Sequence, residues 1–347
     1  MSFLKKFKER FDPRLNSYLD NKLGQAANLL DDPDLIAMID HLTKIVRHGG
    51  KRLRPYLIDL SYRMAGGTNQ AMIEPALFGM ELFHTYCLVH DDILDRADER
   101  HSLPTVDIFV RNRLESAGRI GAKNLISTSQ AILAGDLLAS WADEAFLQTE
   151  ITSLTQQAAR KIFFTMQTEV ICGQMIDIDL TTRTSVTDAM IDKKIWLKTA
   201  SYSFLGPIRI GLALSGSDLA NWDIFSQEMA GKLGRAFQIQ DDLREVFVEN
   251  DFRDISERQP TYLTAHVIKY GSAAQQATLQ QLFGQSIDLD KGNRLKNLFQ
   301  ESGAAETAHT SVTNYLKQAS LILETRQLAK PIQDEWSELI ELIRQFV

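Results

Sequence analysis

The chain has 347 residues, of which 44% are hydrophobic, and a formal net charge of −7. Its basic residues form short clusters and no broad basic face, which argues against a nucleic-acid partner. No apolar run reaches about 18 residues without a charge, so no transmembrane segment is predicted. The N-terminus lacks a signal peptide's apolar core, and both cysteines, Cys87 and Cys172, lie in apolar stretches typical of buried thiols in a reducing compartment. We therefore expect a soluble cytoplasmic protein.

Apolar residues recur at intervals of three and four through the whole chain, as in residues 332–343. Asp31–Pro33, Ser217 and Pro331 are typical of helix starts. No polar break is long enough to be an interdomain linker. The sequence predicts an all-α fold in which residues 1–347 form one single-domain helical bundle.

The first predicted helix is basic and amphipathic. Phe3, Phe7 and Phe11 form an apolar face among lysine and arginine residues. Such a helix can lie on an anionic membrane surface. We favour packing against the rest of the chain, because many surface helices have this pattern.

A basic cluster follows in His48–Pro55. Lys51 and Arg54 are three residues apart, which predicts that they share one helical face. The preceding glycines, Gly49 and Gly50, let the backbone approach a ligand closely. Arginine binds phosphate in a planar fork and lysine as a point charge. A helix start with solvated basic residues is the alternative interpretation.

The segment from Glu81 to Asp95 combines an apolar helix with carboxylates at its end. Asp91 and Asp95 are one helical turn apart, and His84 falls on the same face. Mg²⁺ prefers one or two carboxylates together with water and phosphate oxygens. A solvated helix end would explain one such motif, but Asp241–Glu245 repeats the arrangement. Two acidic and separate basic clusters fit diphosphates bound through Mg²⁺.

These motifs, in this order, resemble those of the trans-prenyltransferases, the polyprenyl (isoprenyl) diphosphate synthases. The pattern is most similar to short-chain geranylgeranyl diphosphate synthases. The motifs that carry the resemblance are Gly49–Pro55, His84, His90–Asp95, Arg100, Pro104-Thr105, Gly135-Asp136, Gly173-Gln174, Asp177, Lys198-Thr199, Phe237-Gln238 and Asp241-Asp242.

The resemblance implies a helical bundle of the isoprenoid synthase type with a central cavity, which forms a homodimer. It implies that isopentenyl diphosphate condenses head to tail with an allylic diphosphate (dimethylallyl, geranyl or farnesyl), using Mg²⁺, in the family three ions. Ionisation, condensation and elimination need no protein nucleophile, in line with the absence of a convincing Ser-His or Cys-His motif.

The resemblance also assigns roles to residues. The expected catalytic residues are Asp91, Asp92, Asp95, Lys198 and Asp241. The expected metal ligands are Asp91, Asp95, Asp241, Asp242 and Glu245, with Asp241 holding the third ion. The residues expected to bind substrate are Lys51, Arg54, His84, Arg100, His101, Lys198, Thr199 and Gln238. Gln174 would line the cavity, and Asp136 and Asp177 are expected to be structural hydrogen-bonding acids near the site.

The chain departs from the family pattern in three places. His101 takes the place of a usual arginine, which predicts weaker and more pH-dependent binding of isopentenyl diphosphate. Glu245 replaces the usual last aspartate of the second acidic motif. The loop Glu249–Pro260 looks shortened and has Arg253 and Gln259 where lysines are usual. We expect activity to be retained.

Product length is expected to depend on what blocks the cavity below Asp91. In the family, an aromatic residue at the position of Tyr86 accompanies short products such as geranylgeranyl diphosphate. Helix geometry instead places Cys87 on the face of Asp91. We follow the resemblance and assign the floor to Tyr86, with Cys87 as its neighbour.

Three alternatives remain open. Glu81-x-x-His84 and Glu306-x-x-His309 both match the motif of ferritin-like di-iron bundles. A non-catalytic or regulatory subunit of a prenyltransferase would explain the departures, although the intact aspartates argue against it. A terpene cyclase would use the same Mg²⁺ chemistry, but the cluster for a second diphosphate argues against it.

Overall fold

The computed structural model describes residues 2–183 and 185–345, and over these residues the secondary structure is almost entirely helical. The predicted all-α fold is confirmed. The chain divides into two compact units, residues 1–59 with 68–152 and residues 60–67 with 153–347. The predicted domain of residues 1–347 includes positions 1, 184, 346 and 347, which lie outside the described residues. No helix among the described residues is both long enough and apolar enough to cross a membrane.

The first unit is built around α4 and α6, which pack along each other. Gly79 permits this close approach, because a Cβ there would lie 2.8 Å from the carbonyl oxygen of Ala142. The elements of this unit are α1 (Phe3–Leu30), α2 (Pro33–His48), the first part of α3 (Leu53–Met64), α4 (Gln70–Leu94), β1 (Glu99–Arg100), β2 (Leu103–Pro104), α5 (Val106–Ser116) and α6 (Lys123–Leu147).

The N-terminal helix packs into this unit. Leu4, Phe7 and Phe11 are buried, and the rings of Phe7 and Phe11 stack with centroids 5.2 Å apart. The apolar face is therefore covered by protein, which confirms the packing interpretation over the membrane one. The predicted start of the next helix is also confirmed, because the Asp32 side chain accepts hydrogen bonds from the first backbone N–H groups of α2.

The second unit is built around α10, which packs against α15, α16 and the π-helical segment. Its elements are the end of α3, α7 (Leu154–Thr181), α8 (Asp188–Lys194), a π-helix (Ile195–Leu205), α9 (Gly206–Leu214), a 3₁₀-helix (Leu219–Trp222), α10 (Asp223–Arg244), a second π-helix (Glu245–Glu249), α11 (Arg253–Ser256), α12 (Tyr262–Tyr270), α13 (Ala273–Leu282), α14 (Leu289–Glu301), α15 (Ala304–Thr325) and α16 (Lys330–Arg344).

Two helix starts in this unit were predicted. Pro331 lies in the first turn of α16, as expected, whereas the helix predicted at Ser217 is capped one residue later by Asp218. The burial predicted for Cys172 is wrong, because this residue is exposed on α7, and Cys87 in the first unit is only partly buried. Cys172 falls outside the buried stripe of α7, which includes Met166 and Val170.

Candidate functional site

The last turn of α4 carries the first acidic motif. The helix ends at Leu94, and the backbone N–H of Asp95 donates to the carbonyl of Asp91 at 2.8 Å. The two aspartates are therefore one turn apart, in the arrangement that the spacing predicts. Both are partly accessible, so both can meet a ligand.

Asp92, the middle acid, is buried and bound to Arg100. The guanidinium Nε of Arg100 donates to Asp92 Oδ1 at 2.9 Å, and an Nη donates to the same oxygen. Arg100 ends β1, and the hairpin turn that follows uses His101 and Ser102, with φ of 53° and 62°. Glycine or asparagine usually occupies such positions. Asp92 thus orients Arg100 at the end of this hairpin.

A cationic cluster lies in the same unit. Arg54 Nη1 donates to His84 Nε2 at 3.1 Å, so the His84 ring is neutral with its proton on Nδ1. Burial, and next the charge of Arg54, hold the pKa of His84 well below its usual value. Burial also lowers the pKa of His101, followed by the charges of Arg100 and Arg52. Bound anionic oxygens would favour protonation of both rings.

Lys51 does not share a helical face with Arg54, and that prediction is wrong. Lys51 is exposed and precedes α3, which begins at Leu53. The chain turns at Arg52, whose φ of 59° is left-handed, so the periodicity of a helix does not apply there.

Arg52 is a functional support that sequence reasoning missed. Its side chain is 0% exposed and forms ion pairs with Glu81 at 2.6 Å and Asp12 at 2.9 Å. It also donates to the carbonyls of Val46 and Arg47. These contacts hold the backbone that presents the basic cluster. The only signal in the sequence was a third cation inside that cluster.

The second acidic motif lies in the second unit. Asp242 is buried and accepts hydrogen bonds from Gln238 Nε2 at 3.0 Å and from the backbone N–H of Tyr262 at 2.8 Å. Thr199 Oγ1 donates to Gln238 Oε1 at 2.7 Å. Asp241 is partly exposed and accepts from Arg244 at 3.0 Å. Thr199, Gln238 and Asp242 thus form a fixed chain of hydrogen bonds.

The carboxyl groups in and near the second acidic motif repel one another. Burial raises the pKa of Asp242 to about 6. Burial and then the nearby Asp254 raise the pKa of Glu245, and burial followed by Asp242 raises that of Asp254. Sequence reasoning missed Asp254, whose position in the loop after the motif was its only signal. Such a cluster favours protons or bound cations.

Two lysines share one buried carboxylate beside this cluster. Lys194 Nζ lies 3.0 Å from Asp177 Oδ1 and donates to the carbonyl of Pro260 at 2.9 Å. Lys198 donates to the other oxygen of Asp177. Burial would raise the pKa of Asp177, but the two lysines together lower it. Asp177 is therefore a paired acid, whereas Asp136 in the first unit is exposed, 3.8 Å from His90.

The carboxylates suit an Mg²⁺ ion that also binds water and phosphate oxygens better than they suit a metal held by protein ligands alone. Within residues 2–183 and 185–345, no group of three or more His, Cys, Asp or Glu side chains is arranged to hold a metal. A carboxylate pair such as Asp91 and Asp95 suits an ion completed by water and phosphate oxygens. The di-iron alternative is wrong, because Glu81 is paired with Arg52, and both Glu306 and His309 are exposed on α15.

A helical fold with carboxylate pairs and partly buried cations is typical of the class of proteins that bind phosphorylated ligands together with divalent ions. The Polyprenyl synthetase family model matches residues 36–301. The chain therefore belongs to the polyprenyl synthetase family and is a prenyltransferase, which confirms the resemblance seen in the sequence.

Relatives extend along the chain. The short chain isoprenyl diphosphate synthase of Methanothermobacter thermautotrophicus is 25% identical over 100% of this chain and 97% of its own. The geranylgeranyl diphosphate synthase of Methanosarcina mazei is 33% identical over 57% of this chain and 56% of its own. The geranylfarnesyl diphosphate synthase of Aeropyrum pernix is 26% identical over 87% and 91%. The named relatives thus differ in product length.

Solved structures share the fold. The geranylgeranyl pyrophosphate synthase of Corynebacterium glutamicum, complexed with isoprenyl diphosphate and magnesium, matches with a TM-score of 0.90 at 24% identity over 99% of both chains. The polyprenyl synthase of Caulobacter crescentus, complexed with calcium and isoprenyl diphosphate, matches with a TM-score of 0.79 at 20% identity over 99% of this chain and 97% of its own.

Proposed function

We propose that the protein condenses isopentenyl diphosphate head to tail with dimethylallyl, geranyl or farnesyl diphosphate, and that its product is geranylgeranyl diphosphate. The observation that carries this proposal is that α4 carries two different groups that suit phosphate ligands. His84 lies beside the cation Arg54 of α3, whereas Asp91 and Asp95 offer metal-binding oxygens. Asp91 lies seven positions after His84, about 10 Å along the helix, which suits two diphosphates side by side.

The proposed reaction breaks the bond between C1 of the allylic chain and its diphosphate oxygen, and the electron pair leaves with the diphosphate. Bound Mg²⁺, in the family three ions, would supply neutralisation of the charge that develops on this leaving group. Asp91, Asp95 and Asp241 would hold the ions, with Asp242 and Glu245 in support.

The remaining steps need orientation more than acid–base chemistry. Arg54 and His84 would hold isopentenyl diphosphate so that its double bond attacks C1. Transfer of a proton from the new carbocation to an oxygen of the released diphosphate then restores a double bond. Arg100, fixed by Asp92, and Lys198 would contact the leaving diphosphate.

Tyr86 is the residue that we propose to limit product length. Its ring stacks on Phe83 with centroids 5.2 Å apart and meets His90 edge-on at 4.6 Å. A ring held from two sides is a firmer stop than the neighbouring side chain of Cys87, which supports the family assignment over simple helix geometry.

We also propose that the protein is a homodimer. Large apolar residues face solvent on one helix of each unit, including Leu133 of α6, 59% exposed, and Met175 of α7, 65% exposed. Exposed apolar residues recurring along a helix are typical of interaction surfaces. Light scattering during size-exclusion chromatography tests this assignment, and a monomer that retains full activity would contradict it.

The test of the reaction is incubation of the purified protein with Mg²⁺, isopentenyl diphosphate and each allylic starter in turn, followed by mass analysis. Longer prenyl diphosphates support the proposal. Turnover only after addition of a second protein would favour the regulatory subunit, and release of hydrocarbons would favour the terpene cyclase.

A further inference from the structure

Lys194, Asp177 and Lys198 form one charged group, of which sequence reasoning identified Asp177 and Lys198 but not Lys194. The Lys194 side chain is 11% exposed, that of Asp177 is 6% exposed and that of Lys198 is 33% exposed. Asp177 is therefore enclosed between a buried lysine and a lysine that reaches solvent. Each lysine pairs with a different oxygen of the carboxylate.

A buried lysine is costly unless it is paired and hydrogen-bonded. Lys194 meets this condition through Asp177 and the carbonyl of Pro260. A lone pair of Asp177 with Lys198 would already be neutral, and Lys194 adds a positive charge that also faces the buried carboxyl groups of Asp242 and Asp254. Lys198 is the accessible end of the group.

We propose that Lys194 is a positioning residue that neutralises Asp177 and so leaves the charge of Lys198 available to an anionic oxygen of the ligand. The ligand is the leaving diphosphate, so the inference rests on the proposed function. Without Lys194, Asp177 holds Lys198 as a closed ion pair, and an incoming anion has to compete with a buried carboxylate.

An anchoring role would explain the same contacts differently. The Lys194 bond to Pro260 fixes the end of the loop that delivers the backbone N–H of Tyr262 to Asp242. If anchoring the loop were the whole role of Lys194, its charge would not matter. A second change at Asp177 would then weaken ligand binding further.

The experiment uses Lys194→Gln, which keeps a donor for the Pro260 carbonyl but removes the charge. Asp177→Asn removes the carboxylate, and the double variant combines the two changes. Lys193→Gln is the matched control, because Lys193 is exposed on the adjacent position and carries the same charge. Binding of inorganic pyrophosphate with Mg²⁺ is measured by calorimetry, alongside KM for the allylic diphosphate and kcat.

We expect Lys194→Gln to weaken pyrophosphate binding and raise KM by about tenfold, the loss of one charge-assisted contact. The double variant should bind pyrophosphate within about threefold of the wild-type affinity. The control Lys193→Gln should bind as the wild type does. If Lys194→Gln folds poorly, Lys194→Arg is the second variant. It keeps the charge and should bind pyrophosphate as the wild type does. The inference is overturned if Lys194→Gln binds pyrophosphate as the wild type does. It is also overturned if the double variant binds pyrophosphate more weakly than Lys194→Gln. A wild-type protein without turnover would instead overturn the proposed function.

Discussion

Arg52→Met tests how the basic cluster is supported. The substitution keeps most of the side-chain volume but removes both ion pairs of a guanidinium that is 0% exposed. Glu81, whose side chain is 3% exposed, then keeps a buried charge without its cation. The carbonyl of Val46 also loses one of its two donors and keeps the backbone N–H of Gly49.

Breaking a buried ion pair by removing one partner costs about 3–5 kcal/mol. Asp12 adds little to this loss, because its side chain is 23% exposed and can return to water. A loss of this size lowers the melting temperature of a unit of this length by about 10 °C. Because Arg52 holds the turn before α3, isopentenyl diphosphate should also bind more weakly.

The assay is thermal and urea unfolding of the wild type, Arg52→Met and the double variant Arg52→Met/Glu81→Leu. Replacing both charges with apolar groups removes the unpaired carboxylate, so the double variant should recover most of the lost stability. A single variant within about 1 kcal/mol of the wild type would refute the reasoning. So would a double variant that is less stable than the single one.

Three further predictions concern the pH dependence, the product and the assembly. The pKa of His84 is lowered on folding, so the unfolded state binds more protons and stability should fall as pH drops below the usual value of 6.5. His84→Gln should flatten that loss between about pH 7.5 and about pH 5.5 in melting curves. Tyr86→Ala should make a longer product, as measured by mass analysis, whereas Cys87→Ala should not. The same product spectrum from Tyr86→Ala and the wild type would show that Tyr86 does not limit product length. Leu133→Glu should dissociate the dimer, and an unchanged mass by light scattering would place the interface elsewhere.

The sequence was sufficient for features that depend on neighbours along the chain. Apolar residues at intervals of three and four predicted the helices, because that periodicity alone places side chains on one face. The arrangement of Asp91 and Asp95 one turn apart was predicted correctly because α4 continues to Leu94. The cap at Asp32 depends only on the next residues and was predicted for the same reason.

Features that depend on tertiary contacts were not predicted. Arg52 and Glu81 are 29 residues apart in the sequence and meet only in the folded chain, and Lys194 meets Pro260 across 66 residues. Asp254 acquires its raised pKa from burial and then from Asp242 on a different helix. Cys172 was misassigned because apolar neighbours along the chain do not reveal which face of α7 is covered.

The central claim is that carboxylates at the end of α4 hold divalent ions that remove a diphosphate from a prenyl chain. The direct measurement is mass analysis of the prenyl diphosphates made from isopentenyl and farnesyl diphosphates with Mg²⁺, comparing the wild type with Asp91→Ala. Asp98→Ala is the control, because Asp98 is an exposed acid of the same segment. We predict geranylgeranyl diphosphate from the wild type and Asp98→Ala, and a loss of about 100-fold or more in Asp91→Ala. Chain growth by Asp91→Ala at the wild-type rate would contradict the claim.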